Sequence, residues 1–233
     1  MLPEYRIIRD ASRRVAAAAN GTVEALEQGR VEQEPAFTDR MLGRIEQAME
    51  GYSHHGVSWT AKTLTDRGPG AQESRFGADF FGVLDIRLPG YSLTKGFLAQ
   101  AKLVEPGSYF SPSEAGRLRE QCERMLRLSA SSFVFLYSRG GIVALPAIAV
   151  IASARTNPHN LYSRSAARFF EEHFASFLGD RRISVPEKAN LDVLAEEYAA
   201  RSGIRLAAGL EGAAGAAAQQ QQRSANTHDR RLV

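Results

Sequence analysis

The chain has 233 residues, 44% of them apolar and 24% charged, with a formal charge of +3, which fits one globular domain with a real core and extra segments at its ends. A single cysteine, Cys122, excludes an intrachain disulfide, and the lack of any Cys-x-x-Cys pair excludes a thiolate zinc site, so a reducing compartment is expected. The longest apolar run, residues 142–152, contains Pro146 and falls well short of the roughly 20 residues that cross a bilayer, while the charge permits an acidic partner without requiring one.

Residues 1–34 read as helical and weakly apolar, with Ile7, Ile8, Val15, Val23 and Leu26 scattered among Arg, Ala and Glu and a break at Asn20-Gly21. Segment 1–35 is therefore expected to be an appended helical arm, and its charged start, with no apolar signal region, points to the cytoplasm. From Phe37 an apolar stripe (Phe37, Met41, Leu42, Ile45, Ala48, Met49) predicts a helix that stops at Gly51. Residues 57–64 alternate and are rich in β-formers, a short strand; the Gly-Pro-Gly stretch that follows is a loop. Residues 78–88 and 95–104 then read as two strands of a hairpin joined through Pro89-Gly90.

Ser111-Pro112-Ser113-Glu114 has the form of a capping box opening a helix with Leu118, Cys122, Met125 and Leu126 on one face. Residues 132–138 are a buried strand by composition, Gly140-Gly141 a turn, and 142–145 a further strand or its continuation. Two amphipathic helices are predicted next. The first gathers Ala166, Phe170, Phe174 and Phe177 and stops near Gly179; the second carries Leu191, Leu194 and Tyr198 and stops near Gly203. His173, set among phenylalanines, reads as a core or boundary histidine. Residues 207–233 are Gly/Ala/Gln-rich with almost nothing to bury and are expected to be a disordered tail.

Side chains alternate along a strand, so Gln100 and Lys102 leave one face with the Ala101 carbonyl between them, and Asp79 at the start of the preceding strand can meet that face if the register allows. Lysine is scarce here, with 25 Arg against only Lys62, Lys95, Lys102 and Lys188, so a lysine placed beside an acid in a strand carries information.

Asp79, followed 21 residues later by Gln100-Ala101-Lys102 and preceded by a helix bearing Glu46, resembles the PD-(D/E)xK, or restriction-endonuclease-like, nuclease superfamily; the Gln-x-Lys form resembles its Mrr-like branch. The order helix, strand, Asp-bearing strand, strand ending in x-Lys, helix, strand matches over residues 36 to about 150. Ala78 stands where that motif often has Pro, and Gln100 where it usually has a second carboxylate. The resemblance implies an α/β fold with a central mixed sheet of four to five strands flanked by helices, spanning 36–206. It also implies a Mg²⁺-dependent endonuclease acting on DNA, with Asp79, Gln100 and Lys102 as catalytic residues and Mn²⁺ able to replace Mg²⁺.

In that chemistry Asp79 supplies an anionic oxygen to the metal, and the Gln100 amide and Ala101 carbonyl supply neutral ones. The metal polarises the phosphate and lowers the pKa of its bound water, while Lys102 holds or helps deprotonate the attacking water and offsets charge on phosphorus. Because Gln100 carries no charge, a third acid is sought. Glu73, six residues before Asp79 in the Gly-rich loop, is favoured for the metal, and Glu46, at the border of its helix's apolar stripe, for a supporting role. Gln121, beside the apolar stripe of its own helix, contacts the site or is an ordinary surface residue. Asp85 shares strand parity with Asp79 but stands roughly 20 Å along the strand, too far for the same metal.

Cutting both strands of double-stranded DNA normally takes two active sites, so a homodimer or larger assembly is expected. No separate sequence reader is apparent, which leaves target choice to a sensor or recognition protein, the N-terminal arm or DNA structure and suggests an effector of bacterial anti-phage defence or restriction. A membrane role is not expected. The alternative is a catalytically inactive module of the same fold, serving as a DNA-binding or assembly subunit.

Overall fold

The hairpin predicted from the alternation around Pro89-Gly90 is the centre of the molecule. Strand β3 (Phe80–Leu88) pairs antiparallel with β4 (Tyr91–Leu103) from Phe80↔Ala99 to Leu88↔Tyr91. The computed structural model describes residues 3–64, 78–153, 157–184 and 200–211. Ahead of the hairpin come α1 (Pro3–Asn20), α2 (Val23–Glu27), α3 (Glu34–Met49), the two-residue β1 (Ser53–His54) and β2 (Val57–Leu64). After it come α4 (Pro112–Leu128), β5 (Ser132–Ser138), β6 (Gly141–Pro146), α5 (Ala147–Ala152), β7 (Arg164–Ser165), α6 (Ala166–Phe174) and β8 (Ser202–Leu210).

These strands form one mixed sheet of eight in the order β1-β2-β8-β3-β4-β5-β6-β7, larger than the four to five strands expected. The difference comes chiefly from β8, which runs parallel to β3 and antiparallel to β2 and so fills the gap between them. By sequence pattern its first residues belong to the end of a helix and its last to the start of the tail. In the fold, Ile204, Leu206 and Ala208 alternate into the core, and Gly203 lies under the Phe81 ring, where any Cβ would stand 2.3 Å from Cζ. Small residues at a crowded central position lack the β-branched signature that marks strands on less crowded faces.

Helices cover both faces. On one side α1, α2, α3 and α6 pack on Phe80, Leu84, Phe97, Phe133 and Phe135; on the other, α4 and α5 pack on Phe81, Val83, Leu98, Val134 and Leu136. The N-terminal segment is thus not an appendage: Ile7, Ile8, Ala11, Val15 and Ala19 are buried in the main core. Alanine hides little area per residue but permits close helix contact, so a burying face built of Ala reads as only weakly apolar. The capping box of α4 is present in full, with Glu114 N–H donating to Ser111 Oγ and Ser111 N–H to the Glu114 carboxylate. Helix α6 ends earlier than predicted, leaving Phe177 outside it and 78% exposed, while Phe169 takes the central place in the aromatic cluster. The second predicted amphipathic helix and the residues beyond Glu211 lie outside the described residues.

Among the described residues, the first half of β4 has no neighbouring strand on its outer edge, because pairing with β5 starts only at Leu98. A turn crosses that edge, with Asp180 and Gly96 exchanging backbone hydrogen bonds. Beneath it Lys95 is 3% exposed and donates to the Leu178 carbonyl at 2.6 Å; burial, aided by Arg181, lowers its pKa to about 8. His173 also faces Leu178 O through Nδ1 at 3.2 Å, and burial holds it neutral with a pKa of about 3. Asp85 is accounted for by structure: buried on β3, it pairs with Arg205 of β8 and accepts from Thr94. Among the described residues, no helix is long and apolar enough to cross a membrane.

Candidate functional site

Asp79 is positioned by its own backbone. Its N–H donates to the Ala99 carbonyl of β4 at 2.8 Å, and its carbonyl accepts from Arg201 and Ser202 N–H at the start of β8, so the residue is fixed between the two neighbours of β3. Its side chain reaches across to β4, where Oδ2 accepts from Ala101 N–H at 2.8 Å and from Gln100 Nε2. Strand alternation then sets Gln100 and Lys102 on the face shared with Leu98, opposite Val134 and Leu136 of β5. Gln100 is 2% exposed, whereas Lys102 reaches outward with its side chain 21% exposed.

These residues line one cleft of about 580 Å³ with Glu32, Glu34, Asp39, Gln121, Arg201 and Ser202. The expected trio of Asp79, Gln100 and Lys102 is thus brought together, and Gln121 of α4 joins it. Glu46 does not. Its carboxylate accepts from Thr63 N–H at 2.9 Å and Thr63 Oγ1 at 2.6 Å and borders a separate groove between α3 and β2. Its place on the helix turns it toward the edge strand rather than the end of the hairpin. Glu73 lies outside the described residues.

The acid that sequence reasoning missed is Glu34, in the first turn of α3, whose Oε2 stands 3.2 Å from Lys102 Nζ. A helix start at Phe37 left Glu34 in the arm. The signal was Glu34-Pro35 itself, because Pro in the first turn and an acid at the N-terminus are both favoured there. One turn further, Asp39 accepts from Ser202 Oγ at 2.6 Å. Two cations, Lys102 and Arg201, therefore face four carboxylates in the cleft.

Burial pushes the Asp79 carboxyl above the ordinary aspartate range, and Glu34 adds to the shift; the Ala101 N–H, Lys102 and Arg201 oppose it. A carboxylate held in this way gains from any cation brought to it. Gln100 has an unbalanced amide: Nε2 faces Asp79 Oδ2 and, at 3.4 Å, the Ala101 carbonyl, while among the described residues the buried Oε1 has no hydrogen-bond partner. Cys122, the lone thiol, is buried in the α4 core with its pKa raised to about 12, which leaves it unreactive.

Among the described residues, no group of three or more His, Cys, Asp and Glu is gathered to hold a metal. The oxygen donors present nonetheless fit a hard divalent cation that binds few protein ligands and keeps several waters: the Asp79 carboxylate, the Ala101 carbonyl and the unsatisfied Gln100 amide oxygen. Comparison with known proteins gives no further guide, since no family model, no curated protein and no solved structure matches this chain.

Proposed function

We propose that this protein is a Mg²⁺-dependent nuclease of the restriction-endonuclease-like superfamily, hydrolysing DNA phosphodiester bonds. The observation that carries the reading is the convergence of Asp79, Gln100 and Lys102 at the mouth of one cleft, reached from a β-hairpin. The order α3-β2-β3-β4-α4-β5, interrupted only by the two-residue β1 between α3 and β2, supports it, being the order of elements on which the resemblance rests. Asp79, the Ala101 carbonyl and Gln100 would hold Mg²⁺ or Mn²⁺. When bound, the ion supplies Lewis-acid polarisation of the phosphate and a water of lowered pKa.

The chain's own residues do the rest. The Lys102 ammonium, a compact charge on a flexible stem, orients the attacking water and offsets negative charge growing on the phosphoryl oxygens. Glu34 fixes that ammonium through its ion pair and replaces Glu46 as the supporting acid. Gln121 and Arg201, on the cleft wall, would meet the phosphate backbone. Double-strand cleavage would bring two copies together, and an effector role in bacterial anti-phage defence or restriction, directed by a separate recognition protein, is the biological setting we propose.

The test is incubation of supercoiled plasmid with Mg²⁺ or Mn²⁺, comparing wild type with Asp79→Ala and Lys102→Ala. Nicking or linearisation by wild type alone supports the reading. Cleavage that survives both substitutions overturns it, and metal-independent DNA binding without cleavage favours the alternative of an inactive DNA-binding or assembly subunit.

A further inference from the structure

The buried Gln100 amide shows Nε2 to Asp79 Oδ2 and to the Ala101 carbonyl, the two oxygens assigned above to a cation, while among the described residues Oε1 has no donor. The amide NH₂ therefore stands between acceptors in the place where positive charge is wanted. With no donor to Oε1 among the described residues, the orientation of the amide is decided by what lies beside Nε2. Terminal amide torsions are broad and roughly two-fold, and exchanging O for N hardly changes the space filled. A half-turn of the amide thus requires no repacking against Leu98 and Val134, the apolar neighbours on that face.

We infer that the Gln100 amide is a two-position gate on the site, with Nε2 turned toward Asp79 when no metal is bound and Oε1 turned inward as a ligand when metal is bound. The inference rests on the metal-dependent reading above. It also accounts for a neutral residue where a carboxylate would bind metal more tightly. A second carboxylate beside Asp79 would leave two buried anions facing each other whenever the site was empty. The amide instead donates to Asp79 in that state, so the empty site remains satisfied on its inner side. A ligand can shift such an equilibrium only by its different affinity for the two positions, and the gate supplies that difference: donor against the cation, or acceptor toward it.

The experiment uses the full chain uniformly labelled with ¹³C and ¹⁵N, the Gln100 amide signals being assigned in wild type by through-bond correlation to its own backbone. Mg²⁺ is titrated while NMR follows those signals, and Mn²⁺ affinity is measured by calorimetry for wild type and Gln100→Met. The expected result is a large shift of the Gln100 NH₂ protons, as their bond to Asp79 is lost, together with Mn²⁺ binding about tenfold weaker in Gln100→Met. Metal binding with unmoved Gln100 amide signals, or equal or tighter binding by Gln100→Met, overturns the gate while leaving the metal reading intact. Failure of wild type to bind Mg²⁺ or Mn²⁺ at all overturns both. The wild-type NMR titration stands whether or not Gln100→Met folds.

Discussion

Replacing Gln100 by Glu turns the one neutral side chain of the Asp79 pair into a second carboxylate. The new oxygens would stand at hydrogen-bond distance from Asp79 Oδ2, where Gln100 Nε2 now donates. Two unit charges about 3 Å apart repel by about 5 kcal/mol at an effective dielectric constant near 20. The pair escapes part of that by binding one proton between them, as carboxylate dyads do. The net cost to the metal-free protein at pH 8 should then be about 2–4 kcal/mol, or about 5–15 °C in melting temperature for a domain of this size. At pH 5 proton uptake is cheap and the difference from wild type should shrink to about 1 kcal/mol or less. Added Mg²⁺ or Ca²⁺ should recover part of the loss at pH 8, since 10 mM ion acting with a Kd near 1 mM stabilises by about 1.4 kcal/mol and tighter binding by more. Thermal melts of wild type and Gln100→Glu at both pH values, with and without ion, make the comparison. If the variant melts like wild type at pH 8 without metal, or if divalent ions fail to rescue it, the placement of Gln100 against Asp79 at a cation site is wrong.

Asp79→Asn should behave in the opposite sense. Because the folded carboxyl titrates above its ordinary range, the native state binds more protons than the unfolded chain within that window, and stability falls as pH rises through it. The asparagine should therefore melt higher than wild type at pH 8 and lose that advantage in acid, while plasmid cleavage disappears. His173 has a depressed folded pKa of about 3, so here the unfolded state binds more protons and stability is lost as pH falls below about 6.5. Relative to His173→Asn, wild type should lose about 2 kcal/mol between pH 7 and pH 5 in urea titrations; parallel curves would mean that His173 is not buried neutral. Glu46→Ala should cost about 1–3 kcal/mol through the lost Thr63 bonds and leave cleavage near the wild-type rate, whereas Glu34→Ala should slow cleavage about tenfold or more by releasing Lys102. The reverse ranking in a plasmid-nicking assay would restore Glu46 to the site.

Local signals carried much of this structure. The β3–β4 hairpin follows from alternation about Pro89-Gly90, and the start of α4 from a four-residue capping box, because each depends on contacts within a few residues. The parity that puts Gln100 and Lys102 on one face is likewise local, so the trio with Asp79 could be assembled on paper. What escaped depends on distant partners. Strand β8 reaches the centre of the sheet only because β2 and β3 leave room for it, and its Gly203 is chosen by the Phe81 ring above it. Helix α1 looks polar until its alanines meet α3 and α6. Glu34 belongs to the cleft because α3 starts above the end of β4, and no pattern within the helix encodes that crossing. Glu46 illustrates the converse, since a helical-wheel angle fixes a direction but not which neighbour lies there.

In the proposed mechanism the Asp79 carboxylate and the Ala101 carbonyl hold a divalent ion. Anomalous diffraction from crystals soaked in Mn²⁺ tests it directly. One peak is expected within bonding distance of both oxygens, lost in Asp79→Asn crystals; a peak elsewhere in the molecule, or none at Mn²⁺ concentrations that support cleavage, refutes the assignment.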